Sequence, residues 1–214
     1  MITPMSGLSS LIRRASRDTR PAAGRNRSRF ASVGLAILAT AMSLVVLAPN
    51  AQADRVINGI VVGGKIEEAY SKTGGFWKWG APTGPERASA KRGRYQTFSR
   101  DVSFYWHPTV DAGTAHQVGG AIRTRWQKIG AERGALGFPT TNEYKSGKGR
   151  TSDFQGGTIT WSKNGGAQIV WGGILQKWRA QGAAKGYYGV PLGGEYRIGS
   201  RFAQDFQNGT IFWP

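Results

Sequence analysis

Three glutamates recur at matched places. Glu86, Glu143 and Glu195 each stand four residues beyond the proline of a Gly-x-Pro segment. A carboxylate so placed can serve as a general acid or base, or can fix a sugar hydroxyl. A catalytic acid is normally needed once. Threefold recurrence therefore argues for structure, with each carboxylate accepting backbone N–H bonds in its turn, or for three equivalent binding spots. Asp153 and Asp205 recur twice, with Thr97 in the corresponding first place. The aromatic residues supply the apolar half of a ligand surface. Trp106, Trp161 and Trp213 end strands beside turns, where a half-exposed indole can stack on the C–H face of a sugar. Trp77, Trp79, Tyr187 and Tyr188 lie just before Gly-x-Pro segments and form a second candidate set. Tyr70, Trp126 and Trp178, with Phe98, Phe154 and Phe206, are expected in the core.

Other chemistries have little to stand on. The chain has no cysteine, which excludes disulfides, thiolate nucleophiles and cysteine-based metal sites. It has two histidines, His107 and His116, and neither H-x-x-x-H nor H-E-x-x-H spacing. His116 reads as a half-exposed strand residue bonded to backbone. There is no G-x-S-x-G elbow. No catalytic residue, metal or cofactor is expected. Lys91-Arg92-Gly93-Arg94 is the densest basic patch and reads as a solvated loop, with no nucleic-acid partner expected.

The elements that must position these residues repeat. Val118–Trp161 registers on Val170–Trp213 at a constant offset without a gap. Ile122 meets Ile174, Trp126 meets Trp178, Gly137-Phe138-Pro139 meets Gly189-Val190-Pro191, and Trp161 meets Trp213. A more divergent copy runs through Ile66, Tyr70, Gly80-Ala81-Pro82, Glu86, Phe98, Phe104 and Trp106. Each copy reads as a glycine pair opening a short amphipathic helix, with its apolar residues at i and i+4. Gly130 or Gly182 ends the helix in a left-handed cap. The Gly-x-Pro corner follows, then about three strands, with Asn164-Gly165 marking a hairpin. The expected fold is α+β and β-rich, built of three tandem repeats of about 52 residues that cover one another's apolar faces. Ile60-Val61-Val62 aligns with Gln168-Ile169-Val170. Pairing of this N-terminal strand with Thr210–Trp213 would close the three copies with pseudo-threefold symmetry, an open solenoid being the alternative.

Residues 1–53 differ from the rest. Seven arginines between Arg13 and Arg29 precede an uncharged run, Ala31–Ala48, and the small-residue pair Ala51 and Ala53. This is the pattern of a secretory signal peptide cut after Ala53. An uncleaved leader would act as a membrane anchor, and a membrane partner is expected only in that case. Of 29 basic and 12 acidic residues, 7 and 1 lie in the leader, so the remainder carries 22 against 11, a net +11. That charge favours anionic surfaces outside the cell. The 32 glycines accompany 8 tryptophans, a composition of turns in a folded chain rather than of disorder.

At Ala135–Pro139, "ALGFP", the sequence resembles the LGFP repeat proteins of mycolic-acid actinobacteria. Ile122, Trp126, Gly130, Gly134, Leu136 to Pro139, Glu143, Phe154, Gly157, Ile159 and Trp161 fit that repeat. The first and third copies depart from its name-giving motif, reading "KWGAP" and "YYGVP". The expected divisions are 54–117, 118–169 and 170–214. The resemblance implies a secreted, non-enzymatic module that attaches to cell-wall polysaccharide, arabinogalactan or peptidoglycan, through repeated weak contacts. An envelope hydrolase or transferase with a carboxylate site is one alternative, and an adaptor that recruits an envelope enzyme is another.

Overall fold

The structure is a computed structural model and describes residues 53–214; the leader through residue 52 lies outside the described residues. Two short strands come first, β1 (Arg55–Ile57) and β2 (Ile60–Val62), paired antiparallel. Helix α1 (Gly64–Lys72) and the short α2 (Gly75–Trp79) follow. A sheet then runs in the order β3 (Arg87–Ala88), β4 (Arg94–Phe98), β5 (Val102–Trp106), β6 (His116–Gly119). The pattern returns as α3 (Gly120–Gln127) and the strands β7 (Tyr144–Ser146), β8 (Gly149–Phe154), β9 (Gly157–Ser162) and β10 (Gly166–Trp171). It returns once more as α4 (Gly172–Ala180) with β11 (Tyr196–Ile198), β12 (Arg201–Phe206) and β13 (Gly209–Trp213). The described residues form a β-rich α+β architecture of four small antiparallel sheets and four helices.

The same local solution holds each helix to its sheet. Ile66 and Tyr70, Ile122 and Trp126, and Ile174 and Trp178 lie one helical turn apart, and all six are essentially inaccessible to solvent. Each inner ring keeps its polar atom satisfied at one carbonyl. The Tyr70 hydroxyl donates to Gly80 O at 2.8 Å, Trp126 Nε1 to Gly137 O at 3.1 Å, and Trp178 Nε1 to Gly189 O at 2.9 Å. These are the glycines of Gly-x-Pro, with φ of 78°, 65° and 70°, a left-handed conformation that disfavours any side chain. Two residues on, Pro82, Pro139 and Pro191 bridge to Phe98, Phe154 and Phe206. The prolines thus tie the corner to the sheet, and the three phenylalanines are buried against the helix rings. Burying each large ring stabilises its segment by about 1.5–3 kcal/mol or more.

Successive segments are joined by strand pairing and by arginines. β6 pairs with β5 and runs into α3; β10 pairs with β9 and runs into α4. Arg123 of α3 donates to Ser103 Oγ at 3.0 Å and pairs with Asp101 of the sheet before it. Arg179 of α4 reaches Asp153 Oδ1 at 2.7 Å and Thr158 Oγ1 at 2.9 Å.

The expected pairing of Ile60–Val62 with Thr210–Trp213 is not formed. β2 pairs with β1, and β13 pairs with β12 alone. The cause is local. Asn58-Gly59, both at positive φ (51° and 78°), make an Asn-Gly hairpin turn that delivers β1 to the edge of β2. Charge acts in the same direction. At the α1 positions matching Arg123 and Arg179 stand Glu67 and Ser71, and closure would bring Glu67 to the sheet that carries Asp205. Instead Arg55 of β1 pairs with the buried Glu67 at 3.3 Å.

The hairpin read at Asn164-Gly165 is present, although the left-handed residue is the next one, Gly166 (φ 65°), in a loop that pairs Ser162 with Gly166. His116 departs from expectation. It is buried, and its Nε2 lies 2.7 Å from Asp111 Oδ2 rather than on backbone, because the tight turn Asp111–Gly113 just before β6 brings that carboxylate to the ring. His107 is likewise inside, with Nε2 2.7 Å from Lys91 O.

Candidate binding corner

Each sheet segment has a corresponding corner, and the three differ in what they hold. In the middle segment, cross-strand register sets Arg150 of β8 opposite Trp161 of β9. Side chains directly opposite on one face are close neighbours. Arg150 Nε pairs with Glu143, which the Gly-x-Pro corner holds just before β7. Glu143, Arg150 and Trp161 line a hollow of about 300 Å³ whose floor is Gly119, Gly120, Ala121 and Ile122. Trp161 is 37% exposed there. An indole face, a carboxylate and a guanidinium thus converge over the backbone that opens a helix.

The first segment has the same pair without the indole. Arg94 stands opposite Trp106, and Arg94 Nε lies 3.5 Å from Glu86 Oε1. Burial raises the Glu86 pKa, with Arg94 opposing and Asp54 adding to the rise. Glu86 lines a wider hollow with Asp54, Gly63 and Gly64, but Trp106 is not part of it. Its Nε1 donates to Gly113 O at 2.8 Å, and the ring packs against the buried cluster around Tyr70 and Phe104.

The third segment has the indole, as exposed as Trp161, without the pair. Phe202 of β12 replaces the arginine opposite Trp213. Glu195 then has no ion pair among the described residues. The Trp213 ring lies on Gly173, so closely that a methyl group added there would fall inside the indole. Lys177 Nζ sits 5.3 Å from the centre of the same ring and donates to Phe212 O at 2.7 Å. The place of Gly173 is taken by Ala121 in the middle segment, where it lines the hollow beside Trp161.

The glutamates therefore do not take backbone N–H groups as expected; guanidinium groups hold two of them. Arg150 was missed in the sequence reading, although a signal was present. Arg94 and Arg150 stand at one aligned position, four residues before Phe98 and Phe154, and Phe202 stands there before Phe206. The second aromatic set divides. Trp77 and Tyr187 are 83% and 69% exposed. Trp79 packs against the first core cluster and donates from Nε1 to Thr73 Oγ1 at 2.8 Å, and Tyr188 packs against the third cluster. None of the four joins a corner. Asp153 and Asp205 share another environment, each accepting a tyrosine and a threonine hydroxyl. Arg179 completes the set at Asp153.

The recurring ring-to-glycine bonds, proline bridges and corners are those of a repeat protein. The LGFP repeat model matches residues 80–134 and 136–186, and the chain belongs to the LGFP repeat family. The matches are phased from one Gly-x-Pro segment to the next, so each spans a sheet and the helix that follows it. No curated protein matches the chain.

Proposed function

We propose that the chain is a three-unit, non-catalytic LGFP module, secreted through its N-terminal leader, that attaches to envelope polysaccharide. Arabinogalactan or peptidoglycan is the wall polymer that the family implies. The single observation that carries this reading is the middle corner, where a half-exposed indole lies beside a Glu–Arg pair in one hollow. Stacking on the ring buries the apolar face of a sugar, while the pair offers acceptors and donors for its hydroxyls. The net +11 of residues 54–214 adds a salt-sensitive attraction to anionic wall components.

Co-sedimentation of residues 54–214 with purified wall tests the reading. The protein should pellet at low salt, and part of the binding should survive at high salt. Protein that stays in the supernatant at low salt would refute it.

A further inference from the structure

We infer that the middle corner is the chain's one sugar-ring site and that it takes an uncharged ring, a neutral furanose or pyranose unit of a polysaccharide. This rests on the wall-binding reading and narrows it in two ways, stoichiometry and charge.

Stoichiometry follows from what each of the three corners holds. Trp161 lines its hollow together with Glu143 and Arg150. Trp213, 37% exposed like Trp161, covers Gly173, the backbone position whose counterpart floors the middle hollow, and Phe202 leaves it without a Glu–Arg pair. Trp106 is committed to Gly113 O and to the core. A polymer strand therefore meets one complete indole–Glu–Arg corner per chain, and avidity among the three units does not contribute.

Charge follows from the pair. Glu143 and Arg150 neutralise each other at the hollow. Arg150 engages Glu143 through Nε, leaving its two Nη groups as donors, and the carboxylate keeps acceptor capacity. Such a pair matches vicinal hydroxyls, which donate and accept. An anionic ring would gain from Arg150 but would be opposed by Glu143, and no second cation lines the hollow. A volume of about 300 Å³ is at the small end of ligand pockets, suited to one ring and its linkage.

The test is calorimetry of residues 54–214 with three probes: a neutral arabinofuranose oligosaccharide, a neutral galactofuranose oligosaccharide and a sulfated oligosaccharide of similar length. At least one neutral probe should bind with one site per chain, and its affinity should change less than twofold between low and high salt. Trp161→Ala should weaken it about tenfold or more, and Trp106→Ala and Trp213→Ala should not. Ala121→Leu, an exposed position, should fill the hollow and weaken binding with the indole intact. Two or three sites, a preference for the sulfated probe, indifference to Trp161→Ala, or no binding of either neutral probe would each overturn the inference. If the protein still pellets with wall in those cases, the wall-binding reading stands without it; if it does not, both fail.

Discussion

The middle and last corners share a backbone frame and differ in two residues that matter. Arg150 and Ala121 in one become Phe202 and Gly173 in the other. The first exchange removes the partner of the glutamate. The second lets the indole lie down on the helix start. Homologous, equally exposed aromatics at the same strand position thus stand beside an ion-paired hollow in one place and over a helix start in another. Recurrence of a residue type identifies a structural position, and its neighbours across the fold decide what that position does.

The sharpest way to break the comparison is to ask whether the frames are equal. Trp126→Ala and Trp178→Ala should each cost about 3–5 kcal/mol in urea denaturation, through the lost ring and the orphaned glycine carbonyl. A large loss in one and a negligible loss in the other would end the equivalence. Next in size, Gly173→Ala should cost about 1–3 kcal/mol, because the methyl overlaps the Trp213 ring. The displaced indole should become more accessible to acrylamide quenching; unchanged quenching would mean that the ring does not rest there. The mirror substitution, Ala121→Gly, should let Trp161 lie down and should reduce wall binding by about threefold to tenfold, a change of roughly 1 kcal/mol. Binding equal to that of the parent would show that the alanine is not what keeps the hollow open.

The smallest expected effect extends the comparison to the first corner. The Glu86 pKa is raised above its ordinary value of 4.5, chiefly by burial. A carboxyl raised on folding contributes stability that is complete below the ordinary value and is lost as pH rises through the folded one. Thermal melts should therefore decline slightly just above pH 4.5, and Glu86→Gln should flatten that decline. An identical slope in the variant would remove Glu86 as its source.

Local features were legible in the chain. The helix faces follow from Ile and Trp or Tyr one turn apart. The corners follow from Gly-x-Pro, and the core phenylalanines from their fixed distance before the next strand. The corner's carboxylate and indole were also visible as recurring residues. Arg150 was overlooked because its value lies in cross-strand register rather than in its own recurrence, which fails at Phe202.

The sequence by itself determined the repeated helix–corner–sheet pattern and its family, because periodicity, glycine conformation and proline geometry act over a few residues. Only the tertiary structure decided which strand edge β1 would occupy, which glutamate would gain a guanidinium, and what each tryptophan would lie against. Those outcomes depend on contacts between residues far apart in the chain, where one methyl group or one reversed charge selects between two packings of the same frame.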